Sequence, residues 1–220
     1  MKYISVAVDG PAGAGKSSVS KAVAKSLGYT YIDTGAMYRA VALFAINNGI
    51  DAKNETEKLV SRLNEVEIDI KYTDEGQQIY LLGENVSKRI REEDVSVGAS
   101  NVAVIPEVRK KLVELQRKMA ESANVIMDGR DICSYVLPNA DVKVYLTASV
   151  ECRAMRRFKE LEGKGEACDF EQIRQDIQER DERDMTREIA PLKQAEDAVL
   201  VDSSNMTIDE VVQAILTLCK

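Results

Sequence analysis

The stretch "YISVAVDGPAGAGKSSVSKAVAKSLG", Tyr3 to Gly28, predicts a strand, a loop and a helix in direct succession. Its first part, Tyr3–Val8, is a β-branched run, which is typical of a strand buried on both faces of a parallel sheet. Apolar residues then recur at helical spacing from Val19 to Leu27, and Gly28 is suited to end that helix. A buried strand followed at once by a helix indicates an α/β fold.

The loop between them, "GPAGAGKS", matches the pattern G-x-x-x-x-G-K-[ST] in its required place, after a strand and before a helix. Its glycines allow several backbone N–H groups to point at phosphate oxygens, and the helix N-terminus adds its dipole. Lys16 supplies charge to the β- and γ-phosphates, and the Ser17 hydroxyl can reach Mg²⁺. A glycine-rich turn that matches by accident is the alternative. The predicted triphosphate-binding residues are Gly10, Pro11, Ala12, Gly13, Ala14, Gly15, Lys16, Ser17 and Ser18.

The rest of the chain continues the alternation of strands and helices. Further strands are predicted at "TYI" and at 124–128, 141–146 and 198–201, and helices at about 35–48, 149–162, 169–187 and 207–219. This order favours a mostly parallel sheet covered on both faces. The runs 66–72 and 78–82 flank the turn-like "TDEGQ" and predict an antiparallel hairpin, which with its neighbours at about 55–65 and 87–102 forms an insertion.

Bulk composition excludes several functions. The 220 residues carry a net charge of −7, which disfavours nucleic acid and anionic lipid as partners. Histidine is absent, which excludes Ser-His-Asp triads and nearly every common zinc site. The four cysteines are scattered without a CxxC pair, and no apolar run approaches membrane-spanning length. We expect a protein of the cytoplasm without a membrane partner.

The class of P-loop protein follows from what else the sequence contains. A regulatory GTPase needs NKxD and DxxG, and neither pattern occurs. Arginine is prominent instead, and phosphoryl transfer depends on neutralising the charge around the moving group. The sequence therefore favours a kinase over a switch.

The late segment "RDERDMTR" carries three of these arginines. Upstream on the same predicted helix, Ile173 and Ile177 belong to an apolar stripe, and its spacing continues through Arg180, Asp184 and Arg187. Arginines on a packing face need anions, so we expect them to bind phosphate. A salt-bridge network with the neighbouring acids is the alternative.

Two further clusters follow strands, where ligands bind in open α/β sheets. "DGRD" carries Arg130 and Asp131, and "DTGAMYR" carries Thr34, Tyr38 and Arg39 at the start of a helix. Each could be an ordinary helix cap with surface charge. We expect them to share one crevice with the P-loop.

Other arginines are less clearly assigned. Arg153, Arg156 and Arg157 are predicted to lie opposite the apolar face of their helix, before the glycine-containing "GKGEACD". That segment suits either a mobile flap over the nucleotide or an ordinary helical turn. Arg109 lies beside a stripe predicted to pack in the core, at Val108, Leu112, Leu115 and Met119.

The motifs together resemble bacterial-type cytidylate kinases of the nucleoside monophosphate kinase group. The resemblance rests on "DGPAGAGKS", "DTGAMYR", "GASNVA", "PEVRKKLVELQR", "MDGRDI", "ERDERDMTREIAPL" and "VDSS". It implies an α/β P-loop kinase with a central parallel sheet flanked by helices, an enlarged NMP-binding insertion containing the hairpin, and a short lid. The implied core is about 1–50, 103–152 and 188–220, the insertion about 51–102, and the lid about 153–187.

The resemblance also implies roles for individual residues. Ser100, Arg109 and Asp131 would recognise cytosine, Arg180 and Asp184 the ribose, and Thr34, Tyr38, Arg39, Arg130 and Arg187 the acceptor phosphate. Lys16, Arg130, Arg183 and Arg187 would act on the transferred group, and Arg157 on ATP. The chain departs from the family where Cys133 replaces a glycine, which we expect to alter the turn after Asp131 and to shift base discrimination.

The function so implied is ATP-dependent phosphorylation of CMP and dCMP, with Mg²⁺ as cofactor and with the chain acting as a monomer. Two alternatives stay open from the residues themselves. One is a P-loop kinase with another acceptor, such as UMP or AMP, and the other is a non-catalytic nucleotide-binding module.

Overall fold

The computed structural model describes residues 3–73 and 76–220. The strands are β1 Ser5–Asp9, β2 Thr30–Asp33, β3 Ile68–Thr73, β4 Gly76–Leu81, β5 Glu84–Asn85, β6 Val125–Gly129, β7 Val142–Thr147 and β8 Val199–Asp202. The α-helices are α1 Lys16–Leu27, α2 Thr34–Asn47, α3 Thr56–Ser61, α4 Glu93–Val102, α5 Pro106–Ser122, α6 Val150–Gly163, α7 Phe170–Thr186 and α8 Ile208–Leu218. A π-helical segment covers Ile132–Val136.

Five strands form the main sheet in the order β2-β6-β1-β7-β8. Strand β1 pairs in parallel with β6 and β7, and β7 pairs in parallel with β8. Its central strands are apolar on both faces because both faces are covered, and Val6, Ala7 and Val8 are fully buried. The predicted parallel sheet with flanking helices is confirmed.

Two compact units divide the chain. The first comprises Met1–Tyr31 and Ala120–Lys220, and the second comprises Ile32–Met119. In the first, apolar residues of α1 and α8, such as Val19, Val23 and Ile215, pack in one core with sheet residues such as Val6 and Val144. The boundaries of the insertion at about 51–102 and of the lid at about 153–187 stay predictions.

Helices α6 and α7 of the first unit form an antiparallel pair with a small core of its own. Ala154, Ile173 and Ile177 are buried there, and the rings of Phe158 and Phe170 meet edge to face at 6.2 Å. Helix α7 confirms the predicted apolar stripe.

In the second unit, β3 and β4 form the predicted antiparallel hairpin, and β5 adds a short third strand to their sheet. The hairpin is therefore confirmed, although two residues of the predicted turn, Asp74 and Glu75, lie outside the described residues. Helix α2 is buried along most of its length, including Met37 and Phe44, and α4 packs against it. Among the residues that the structure describes, no helix is long and apolar enough to cross a membrane.

Candidate active site

The phosphate loop joins β1 to α1 in the first unit, as predicted. Gly10 has φ +148°, and a Cβ added there would overlap the carbonyl oxygen of Leu146 on β7. Only glycine fits so close to a neighbouring backbone. Gly15 precedes α1 with φ +89°, also in the left-handed region. The loop conformation thus depends on glycine at two of the positions that the motif fixes.

Lys16 begins α1 and is buried with its ammonium turned into the loop. Its Nζ donates to the carbonyl oxygens of Gly10 and Pro11, each at 2.7 Å. Burial lowers the pKa of Lys16 well below its ordinary value, and the positive charges of Arg130 and Arg180 lower it further. The carboxylates of Asp128 and Asp9 act in the opposite direction, so the Lys16 ammonium lies among charges of both signs around the phosphate loop.

Ser17 and Asp128 form the second polar contact of the loop. The Ser17 hydroxyl donates to Asp128 Oδ2 at 2.9 Å, and the Tyr31 hydroxyl donates to Asp128 Oδ1 at 2.8 Å. A hydroxyl beside a carboxylate is an oxygen donor set of the kind that Mg²⁺ prefers, so these residues fit the ion. The sequence prediction named Ser17 and missed Asp128. The sequence could have indicated Asp128, because it is the first acidic residue after the apolar part of β6.

The "DGRD" and "RDERDMTR" clusters meet in the first unit. Arg130 Nε donates to Asp184 Oδ2 at 2.9 Å, and Arg187 Nη2 lies 3.5 Å from Asp131 Oδ1. Arg180 lies on α7 one turn before Asp184. An arginine after β6 therefore pairs with an aspartate of α7, and the arginine at the end of α7 lies beside an aspartate after β6. Each guanidinium has five N–H donors, so pairing with one carboxylate leaves donors for an anion.

Arg153 contradicts the prediction that it lies opposite the packed face of its helix. Its side chain is only 4% exposed, donates to the carbonyl oxygens of Ala12 and Ala148, and pairs with Asp181 at 2.6 Å. Asp181 is buried because it follows Ile173 and Ile177 at intervals of four residues. That spacing was visible in the sequence, but the stripe was continued through Arg180 instead.

Two arginines of the predicted site lie on the surface in the described structure. Arg183 is exposed, and its Nε donates to the carbonyl oxygen of Glu179 at 3.3 Å. Arg157 is exposed and pairs with Glu160 at 2.9 Å. These contacts are made to neighbouring residues of their own helices. Ser18, in the first turn of α1, is also exposed.

The second unit carries the "DTGAMYR" cluster at the start of α2. Asp33 caps the helix by accepting from the Ala36 N–H at 2.9 Å, and it pairs with Arg39 at 3.0 Å. The backbone N–H of Asp33 in turn donates to Gln77 Oε1 on β4 at 2.9 Å. Thr34 is buried at the first helical position. Asp33 of this cluster is therefore a helix cap. Thr34 and Arg39 follow it near the N-terminus of the helix that it caps.

Arg109 of the second unit is buried, with 1% of its surface exposed. Its Nη1 donates to the carbonyl oxygen of Ala103 at 3.2 Å, and its guanidinium lies 5.9 Å from the centre of the Tyr38 ring. Ser100 is half-buried on α4. Helix α5 buries Val108 and Leu112 as predicted, but the buried side continues through Gln116, while Leu115 and Met119 are only partly buried.

Cys133, which replaces the family glycine, is buried in the π-helical segment. Its Sγ contacts the carbonyl oxygens of Ala7 and Val144, and burial raises the pKa of the thiol far above its ordinary value. Among the described residues other than glycine, positive φ occurs only at Leu82 and Ala190. The backbone conformation at position 133 therefore does not require glycine.

Comparison with known proteins gives the family. A sequence model of the family described as cytidylate kinase matches residues 6–220. A cytidylate kinase from Caldicellulosiruptor saccharolyticus is 53% identical over 218 residues, which cover 99% of this chain and 96% of the relative. One from Caldicellulosiruptor bescii is 51% identical with the same coverage, and one from an Exiguobacterium species is 50% identical over 97% of this chain and 95% of its own. Because these matches run nearly end to end, they extend far beyond the P-loop, and the chain belongs to the cytidylate kinase family.

Proposed function

We propose that the protein is a nucleoside monophosphate kinase that transfers the γ-phosphoryl group of ATP to the α-phosphate of CMP or dCMP, giving ADP and CDP or dCDP. The observation that carries this proposal is the meeting of two arginine-containing clusters in the first unit, where Arg130 pairs with Asp184 and Arg187 lies beside Asp131. A protein that only bound a triphosphate would need the lysine and the loop. The additional arginines provide for a second anionic group.

ATP is the phosphoryl donor, and residues 10–18 form its triphosphate site. Lys16 now binds two loop carbonyls, and those two hydrogen bonds are available for exchange with the β- and γ-phosphates. The hydroxyl of Ser17 and the carboxylate of Asp128 would hold Mg²⁺, which when bound neutralises charge on the phosphates. The proposal also assigns Arg157 to ATP, by its place in the family's motif.

Residues for the acceptor nucleotide are assigned in each unit by their places in the family's motifs. In the first unit, Arg130 and Arg187 bind the acceptor phosphate, Arg180 and Asp184 bind the ribose, and Asp131 recognises the cytosine. Arg183 acts on the group in transfer. In the second unit, the assigned residues are Thr34, Tyr38 and Arg39 for the phosphate and Ser100 and Arg109 for the base.

The reaction forms one bond and breaks one. An oxygen of the acceptor α-phosphate attacks the γ-phosphorus, and the bond from that phosphorus to the β,γ-bridging oxygen breaks, so ADP leaves with the electron pair. The acceptor oxygen is already anionic, so no general base is required, which suits a chain without histidine. Lys16, Arg130 and Arg187 stabilise the charge that spreads over the transferred group.

The proposal includes a cytoplasmic location and a monomer. The four cysteines are widely spaced in the sequence, and all four, which lie within the described residues, are free thiols, as is usual in reducing compartments. The net charge of −7 makes nucleic acid an unfavourable partner.

The test is release of ADP from Mg·ATP with CMP, dCMP, UMP, AMP, dTMP or no acceptor. Rapid release with CMP and dCMP, and little in the blank, is the expected result. Preference for another acceptor would retain the kinase and reject the base assignment. ADP release that does not depend on an acceptor would indicate ATP hydrolysis and would overturn the kinase assignment. No ADP release at all would leave a nucleotide-binding module. Arg187→Ala should then raise the KM for CMP more than the KM for ATP.

A further inference from the structure

Asp9 is the last residue of β1 and is fully buried. Its Oδ1 accepts from the backbone N–H of Ile132 at 2.8 Å, and its Oδ2 accepts from that of Cys133, also at 2.8 Å. These are the first two N–H groups of the π-helical segment Ile132–Val136. Asp9 precedes the phosphate loop in sequence, yet both hydrogen bonds support the residues that follow Asp131.

The segment would ordinarily be capped by its own preceding residue. Asp131 occupies that position, and aspartate is among the residues preferred there because its carboxylate accepts from the N–H groups of the first turn. The Asp131 side chain makes no such hydrogen bond. Asp9 caps the segment from the neighbouring strand, and the Asp131 carboxylate lies instead 3.5 Å from Arg187 Nη2.

This arrangement has a cost, which argues against an incidental contact. The pKa of Asp9 is raised to about 6, because burial and the negative charge of Asp131 together outweigh the hydrogen bonds from Ile132 and Cys133, which lower it. A buried carboxylate near a second carboxylate is unfavourable for folding. An apolar side chain would avoid the buried charge but would leave the N–H groups of Ile132 and Cys133 without this acceptor, so the carboxylate serves to hold that backbone in place.

We propose that Asp9 is a positioning residue for the acceptor base: it caps the segment after Asp131 in place of Asp131 itself, and so keeps the Asp131 carboxylate directed at the ligand. The inference rests on the proposed function, because it takes Asp131 as the residue that recognises cytosine. Asp9 touches neither substrate and acts through the backbone of Ile132 and Cys133.

The test is Asp9→Asn, which keeps the size of the side chain but leaves one accepting oxygen for two N–H donors. The readout is the ratio of kcat/KM for CMP to kcat/KM for UMP. We expect this ratio to fall roughly tenfold, about the effect of one charge-assisted hydrogen bond, while the KM for ATP stays within about twofold. A purely structural role would reduce the active fraction and leave the ratio unchanged.

The matched control is Asp141→Asn. Asp141 Oδ2 accepts from the backbone N–H of Ser5 at 2.9 Å, so it caps the opposite end of the same strand. Its variant should keep the wild-type ratio. If Asp9→Asn does not fold, Asp9→Ser replaces it, because the smaller side chain brings one acceptor into the buried site without a clash.

The two proposals fail separately. Wild-type protein without CMP-dependent turnover defeats the proposed function. Wild-type protein that prefers CMP, together with an unchanged ratio in a folded Asp9 variant, overturns only the role of Asp9. A combined Asp9→Asn and Asp131→Asn variant should lose little more discrimination than Asp131→Asn alone, since both act through one carboxylate. Additive losses would also overturn the inference.

Discussion

At the scale of single residues, Asp128 links the sheet to the phosphate loop. Its two carboxylate oxygens accept from the hydroxyls of Ser17 and Tyr31, so the side chain is held in one orientation. The negative charge of Asp128 also acts on the ammonium of Lys16, whose pKa it raises. A divalent cation held by this carboxylate would add positive charge beside the phosphates.

Asp128→Asn should therefore weaken the response to magnesium. We expect the Mg²⁺ concentration for half-maximal activity to rise about tenfold, as is typical when a supporting oxygen donor is lost. The measurement is activity against Mg²⁺ concentration at saturating ATP and CMP. Asp209→Asn, an exposed acid in the first turn of α8, is the control and should leave the curve unchanged. An unchanged curve for Asp128→Asn would contradict the assignment.

Gly10 shows how one absent side chain can determine a site. Because its Cβ would overlap the Leu146 carbonyl and its φ is +148°, Gly10→Ala should lower the free energy of unfolding by about 2–4 kcal/mol. Gly163→Ala is the matched control, since a Cβ there meets nothing within 4 Å. Urea unfolding of both variants is the measurement. Equal stability of the two would show that the loop relaxes without strain.

At the scale of elements, a buried arginine of α6 joins that helix to α7 by an ion pair and to the phosphate loop by a hydrogen bond. Arg153 of α6 contacts Ala12 of the loop and Asp181 of α7, and both charged side chains are less than 10% exposed, at 4% and 9%. Removing one member of a buried pair leaves an uncompensated charge. The pair therefore fixes both helices to the loop in the first unit.

Asp181→Ala should lower the free energy of unfolding by about 3–5 kcal/mol, because Arg153 would stay buried without its partner. Arg157→Ala removes an exposed ion pair with Glu160 on α6 and should change the free energy of unfolding by less than about 1 kcal/mol. Thermal and urea unfolding of the two variants test the contrast. A small effect of Asp181→Ala would mean that water reaches Arg153.

Helices and strands were largely predictable from the sequence, because buried parallel strands and amphipathic helices leave strong periodic signals. The buried charged residues were not predictable in this way. Arg109 and Arg153 were assigned beside or opposite their packed faces, yet both are buried, since the partners that neutralise or solvate them lie elsewhere in the chain. Hydrophobic periodicity cannot identify such residues, because it treats every arginine as a surface residue.

At the scale of the whole molecule, Asp9 makes folding stability depend on pH. Its pKa is raised from 3.8 to about 6, so between these values the folded state binds more protons than the unfolded state. Stability from this group is therefore fully present below about pH 4 and is lost as pH rises to about 6. The groups facing Asp9 are Lys16, Asp131, Cys133 and Tyr145.

The difference in unfolding free energy between wild type and Asp9→Asn isolates this group, because the other titrations largely cancel. We expect wild type to lose about 3 kcal/mol relative to the variant between about pH 3 and pH 7, and almost nothing more above about pH 7. Chemical unfolding at half-unit pH intervals is the measurement. A constant difference would show that Asp9 titrates normally.

The residues of the candidate site show the same contrast between what the sequence indicates and what it does not. Lys16, Ser17, Arg130 and Asp131 could be assigned to the candidate site because they belong to short motifs at strand ends, where ligands bind. Asp9 and Asp181 were missed because each acts on backbone or side chains distant in sequence. A sequence displays the residues that meet a ligand more readily than the residues that hold them in place.

The ammonium of Lys16 has a further consequence in calorimetry. Burial and two neighbouring arginines lower its pKa in the unliganded protein, whereas a bound triphosphate would raise it again. Nucleotide binding is then coupled to uptake of a proton from the medium, increasingly so as pH rises toward the ordinary lysine range. The apparent heat of ATP binding should accordingly differ between buffers according to their own ionisation enthalpies, and the slope of that dependence counts the protons taken up.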